Sequence, residues 1–161
     1  MELISQKTID LLQKRIKSEE ESSRLYEQFS LWLKNESFIS LAKLFSKYAS
    51  EEMNHAGWTK DYLLSFNVMP ELPSLEEPMN LITTLTDIAD KTLEHESKIT
   101  MECRELYKHA LEEGDFNLIT LAHKYNSEQV EELDKAYELR DIIKMSSDKL
   151  SLDHYIADNL L

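Results

Sequence analysis

Two glycines, three prolines and one cysteine are all that 161 residues contain of the types that break or cross-link a chain. Glycine and proline interrupt helices, so their scarcity leaves long unbroken helices as the natural reading. The lone thiol, Cys103, excludes an intrachain disulfide framework and offers no Cys-x-x-Cys pair for a thiolate metal site. It falls on an apolar helical stripe and reads as packing. No apolar run approaches the roughly 18 residues of a membrane span, and the N-terminus has no signal-like apolar stretch, so a cytoplasmic protein without a membrane partner is expected. Positive charge is short too: 18 Lys and Arg face 31 Asp and Glu, a formal charge of -13, which argues against a nucleic-acid surface. The length suits one domain, 1–161, with a sizeable core.

What the chain does have is helical periodicity. Four long helices are expected, at about Ser5–Lys34, Phe38–Phe66, Asn80–Glu113 and Phe116–Met145, with a short amphipathic helix from Ser151 to Leu161. Ser37 is the candidate N-cap of the second and Gly114 the stop of the third. All three prolines lie in Asn67–Pro78, a connection long enough, at about 3.3 Å per residue, to return along helices about 45 Å long. The fold predicted is all-α: an up-down four-helix bundle with one long crossover between the second and third helices.

Each buried stripe is interrupted by groups that do not belong in an apolar core. The first reads Ile9, Leu12, Ile16, Glu19, Ser23, Tyr26, Ser30, Leu33; Glu20 and Glu21 beside Glu19 are free to face water. The second carries Glu52 and His55 among Leu41, Phe45, Tyr48, Thr59, Tyr62 and Phe66; residues three apart share a helix face, so the two point the same way. The third carries Glu96, the fourth Gln129 and Glu132. Glu19 and Glu52 are equidistant from the first turn, and Glu96 and Glu132 from Gly114, so each pair stands about 25 Å from its turn. All meet in one central layer. Carboxylates gathered in a buried layer repel unless multivalent cations neutralise them. Oxygen donors with a single imidazole suit iron or manganese better than structural zinc.

At this point the sequence resembles a bacterial non-haem ferritin over nearly its whole length. The residues carrying the likeness are Glu19-x-x-Ser22-Ser23-x-x-Tyr26, Glu51-Glu52-Met53-Asn54-His55-Ala56, His95-Glu96, Gly114-Asp115, Ser127-Glu128-Gln129-Val130-Glu131-Glu132 and Leu152-Asp153-x-Tyr155. The resemblance implies a first iron site at Glu19, Glu52 and His55. It implies a second at Glu52, Glu96 and Glu132, with Gln129 as an oxygen-binding or hydrogen-bonding partner. A third iron position would use Glu51, Glu128, Glu131 and Glu132, and Tyr26 would donate an electron or a proton. It further implies a homo-oligomeric shell of twenty-four subunits that oxidises Fe(II) with dioxygen or peroxide and stores ferric mineral, with the last helix at the fourfold contacts.

The chain also departs from that pattern. Lys124, beside His123, stands where the family often has a tryptophan, and Gly57 lies in mid-helix, either to allow bending or close packing or at a tolerated cost of about 1 kcal/mol. The remaining histidines, His95, His109, His123 and His154, have no partner at ligand spacing. Met53 alone does not make a haem site, and no haem is expected. The rival readings are a di-iron peroxidase of the rubrerythrin kind, which would want a Cys pair or a second Glu-x-x-His, a starvation-protein cage with ligands at a subunit interface, and a shell with an inactive centre.

Overall fold

The computed structural model describes residues 3–78 and 81–161. Its helices are α1 (Gln6–Asn35), α2 (Ile39–Ser65), α3 (Leu85–Glu113), α4 (Phe116–Met145) and α5 (Lys149–Asn159). α1 packs along α2 and α3 along α4; the two pairs meet through α1 against α3 and α2 against α4, and α5 lies on α2. No helix among the described residues is long and apolar enough to cross a membrane.

Hydroxyl and charged side chains set the register. Ser23 and Ser30 Oγ donate to the carbonyls of Ala49 and Ala42, so seven residues forward on α1 match seven back on α2. The same step recurs between α1 and α3, where Thr8 meets His109, Arg15 meets Glu102, and Ser22 meets His95. Both pairs are therefore antiparallel, as two heptad steps of about 10.5 Å require. The crossover lies on α1: the Gln13 side-chain amide donates to Glu71 O at 2.9 Å and accepts from Glu71 N at 3.0 Å. Further on, Leu75, Glu77 and Pro78 border a surface cleft with Glu27, Gln28 and Leu31. The segment thus runs along the length of α1, the course its reach suggested.

Three boundaries differ from expectation. α3 starts at Leu85 instead of near Asn80 (Asn80 itself lies outside the described residues). Its start is set by a capping box, Thr84 Oγ1 accepting from Asp87 N while the Asp87 carboxylate accepts from Thr84 N. Ser37 does not cap α2, because the tight turn places it in the left-handed region (φ 69°), and Phe38 precedes the helix with no side-chain cap. The cap arrives from elsewhere: Asp153 of α5 accepts from Ser40 N and Leu41 N, each at 3.0 Å. α5 itself begins two residues early, with Asp148 accepting from Ser151 N.

A remote carboxylate at a helix N-terminus satisfies orphan amides and suits the helix dipole, together about 1–2 kcal/mol. Asp153→Ala is accordingly expected to lose that stability and to raise hydrogen exchange at the Ser40 and Leu41 amides; unchanged protection there would refute the cap. At Gly57 a Cβ would meet nothing within 4 Å, so the glycine serves no close packing inside the chain. Gly57→Ala should raise the denaturation midpoint by a stability gain of about 0.5–1 kcal/mol, and a lowered midpoint would show the position to be filled from outside the chain.

The apolar core is two clusters. One gathers Tyr26, Phe29, Leu33, Leu41, Phe45, Ile88, Leu139 and the α5 residues Leu152 and Ile156. The other gathers Leu12, Ile16, Leu63, Ile99, Cys103, Leu106, Leu118 and Tyr125. Cys103 is buried there, as its stripe position implied. Between the two lies the polar layer.

Candidate metal centre

Glu19, Glu52, His55, Glu96, Gln129 and Glu132 are all buried, one or two from each long helix. Ligand atoms of Glu19, Glu52 and His55 lie within 4.8 Å of one another, as do those of Glu52, Glu96 and Glu132. Glu52 belongs to both groups. His55 Nδ1 stands 3.4 Å from Glu52 Oε2 and 3.6 Å from Glu19 Oε2, while its Nε2 is 3.5 Å from Glu128 Oε1. A ring whose far nitrogen donates to a carboxylate keeps its near nitrogen's lone pair for a cation. Glu128 is the carboxylate nearest that far nitrogen, at 3.5 Å without a formed hydrogen bond.

Each remaining carboxylate is held by a neighbour. Glu96 accepts from the Tyr26 hydroxyl on one oxygen and from Gln129 Nε2, at 2.5 Å, on the other. Glu132 accepts from Lys135 Nζ at 2.9 Å. Glu19 pairs with Arg15 through Oε1, and its Oε2 is buried with no hydrogen-bond partner. A buried, orphaned carboxylate oxygen 3.6 Å from an imidazole nitrogen is costly unless a cation sits between them.

Burial pushes Glu52 up to about 7, with the Glu96 and Glu132 charges adding to it and His55 opposing. Glu132 also rises to about 7, chiefly through burial and against the pull of Lys135. Glu96 rises for the same first reason, held back by Tyr26 and Gln129. Burial pulls His55 down, but Glu52, Glu128 and Glu132 outweigh it and the net direction is up. Tyr26 is raised well above its usual range by burial and then by Glu96, so its hydroxyl keeps its proton. The layer without a cation therefore holds protons that a cation can displace.

Not every residue singled out from the sequence joins these groups. Glu128 approaches His55 and Glu132 as a third candidate group. Glu131 is exposed on α4, and Glu51 Oε2 stands 3.6 Å from Lys135 Nζ. Glu20, expected to face water, is buried against Lys60. Of the histidines without a ligand spacing, His123 and His154 are exposed. His109 is buried on Thr8, and His95 meets Ser22 and is pulled down to about 4 by burial.

Sequence reading missed Arg15, Lys135 and Trp58. Arg15 sits one turn before Glu19, a spacing visible in the chain, but beside the stripe and not on it. Trp58 answers the Lys124 departure. Its ring lies 4.6 Å from the His55 ring and 5.3 Å from Tyr125, with Lys124 Nζ 3.8 Å over its face. The aromatic beside the centre comes from α2, and α4 supplies the cation that covers it. Tyr125 braces the same place, donating to His55 O at 2.5 Å with Thr59 Oγ1 2.7 Å away.

Comparison with known proteins follows the same line. A family model described as a ferritin-like domain matches residues 9–146. A probable bacterial non-heme ferritin-like protein of Haemophilus influenzae is 32% identical over 130 residues, 81% of this chain and 79% of that protein. The bacterial non-heme ferritin of Escherichia coli is 30% identical over 150 residues, 93% of this chain and 87% of the other. Among solved structures, the open pore ferritin of the hyperthermophilic archaeon Archaeoglobus fulgidus superposes with a TM-score of 0.91 at 26% identity, covering 97% of this chain and 98% of that one.

Proposed function

This chain belongs to the ferritin family, and from that premise we propose an iron-storage ferritin whose subunit, one domain over 1–161, is a ferroxidase. Two ferrous ions are the substrates, one at Glu19, Glu52 and His55 and the other at Glu52, Glu96 and Glu132. The observation that carries this reading is Glu52, whose carboxylate belongs to both ligand groups. A shared carboxylate holds two cations close, so dioxygen takes one electron from each. Two electrons and two protons turn O2 into hydrogen peroxide, and both irons leave as Fe(III). Protons displaced from the raised carboxylates are at hand, and Tyr26, hydrogen-bonded to Glu96, is placed to supply a further proton or electron.

Gln129, through its bond to Glu96, orients that ligand. A third iron position is proposed where Glu128 and Glu132 approach His55, with Glu51 and Glu131 joining only after Lys135 gives up its place between Glu51 and Glu132. The assembly proposed is a cytoplasmic homo-oligomeric shell of twenty-four subunits storing ferric mineral.

The test is aerobic addition of ferrous iron to the purified metal-free protein, followed by absorbance and by sizing of the product. Rapid oxidation well beyond two irons per subunit, inside a particle of several hundred kilodaltons, is the expected result. Oxidation that stops at two irons per chain in a small oligomer would overturn storage and favour a rubrerythrin-like di-iron enzyme.

A further inference from the structure

Arg15 is 2% exposed, a permanent cation inside the bundle beside residues that would bind another. Its guanidinium has neighbours on three sides, and its Nε is buried without a hydrogen-bond partner. Nη2 pairs with Glu19 Oε1. Nη1 donates to Glu102 Oε2 at 3.0 Å, an oxygen that also accepts from Ser18 Oγ at 2.7 Å. Its carbon centre stands 5.0 Å from the centroid of Tyr125, the residue that braces the His55 carbonyl. A buried arginine held by a carboxylate fork and an aromatic face does not swing away, because leaving either partner strands a charge.

Two consequences follow for Glu19. Arg15 occupies one of its oxygens, and the other, Oε2, is the buried atom without a partner that faces His55 Nδ1. Only that oxygen remains for a cation. The guanidinium charge also opposes any cation bound there, and since Coulomb repulsion scales with charge, it opposes a trivalent ion half again as strongly as a divalent one.

We propose that Arg15 is a positioning residue which makes Glu19 a one-oxygen ligand and loosens the first cation position, so that iron passes through it instead of staying. This inference rests on the ferroxidase reading of that position. Glu102 is its working partner: by neutralising only part of the guanidinium charge and anchoring it through Ser18, it keeps the charge aimed at Glu19.

The test uses cations that do not change oxidation state, Co2+ and Tb3+, titrated into the assembled metal-free shell. Arg15→Gln strands Glu102, so the double variant Arg15→Gln/Glu102→Gln is measured beside it. In the double variant the first Co2+ is expected to bind about tenfold more tightly, and Tb3+ to gain by a larger factor. Its cobalt visible absorption should weaken as Glu19 becomes a two-oxygen ligand and the coordination number rises. Arg15→Lys keeps the charge but loses the fork, so it should retain wild-type affinity while changing the cobalt spectrum. An assembled double variant with wild-type affinities and an unchanged spectrum would reduce Arg15 to packing and overturn the proposal. Wild-type protein that takes up no Co2+, or whose Co2+ uptake survives Glu52→Ala unaltered, would instead overturn the ferroxidase reading itself.

Discussion

Alanine at Glu52 is expected to slow the initial aerobic oxidation of ferrous iron by at least about a hundredfold while the shell still assembles. Among the described residues Glu52 alone belongs to both ligand groups, so on the proposed reading its loss would separate the two irons and open each site by one ligand. Loss of either Glu19 or Glu132 alone removes one group and leaves the other. Assembly should survive because Glu52 contributes no apolar packing to either core cluster, and burial already disfavours its ionised form. Stopped-flow absorbance after ferrous addition measures the first part and size-exclusion chromatography the second. Fast oxidation at the wild-type rate in an assembled Glu52→Ala shell would remove the shared-carboxylate mechanism.

The second large effect belongs to the protein stripped of metal, whose stability should fall as pH rises from about 4.5 to 7. Glu52 and Glu132 each titrate near 7 in the fold against an ordinary value of 4.5. Between those values the folded state holds protons that the unfolded chain has released, so raising the pH favours unfolding. Below 4.5 both states are protonated and the penalty vanishes; above about 7 it is complete. At roughly 1.4 kcal/mol per unit, the pair amounts to several kcal/mol, and the three carboxylates titrate as a coupled group. His55 acts in the same direction, since its raised value gives stability below its ordinary range that is lost as pH climbs through the raised one. Asp87, lowered to about 2 by the Thr83 and Thr84 hydrogen bonds, matters only in the acid range below these events.

Calorimetry in chelator across this range should show a falling melting temperature. Saturating Zn2+ or Co2+ should flatten the slope, because the cation takes the place of the protons. A melting temperature that climbs between pH 5 and 7 without metal would contradict the assigned burial of these carboxylates.

The bundle and the polar layer were legible in the chain because both obey one period. Gln129 and Glu132 are buried on α4 together with Leu118, Tyr125, Leu139 and Ile143, and the interruptions on all four helices meet where distances from the turns placed them. What escaped was anything acting across elements through a long or remote side chain. Arg15 and Lys135 lie beside their stripes and reach in by length, which periodicity does not register. The α2 cap comes from Asp153, more than a hundred residues away, while Ser37, the nearby residue of a capping type, is held in the left-handed turn. Position 124 on α4 lacks the tryptophan, while α2 places Trp58 against His55 with Lys124 over its face. Glu20 looked solvated because it lies beside the apolar stripe in a run of three glutamates; the cation it is buried against, Lys60, belongs to the next helix.

The division of the apolar core into two clusters has a consequence for how such a chain changes over generations. Each cluster ties all four long helices at its own end, so shape is secured above and below the charged waist independently of what the waist contains. On the proposed reading, substitutions there would alter which cation binds without removing apolar contacts from either cluster. A carboxylate in the waist can therefore be exchanged for an amide while both ends of the bundle keep their apolar contacts.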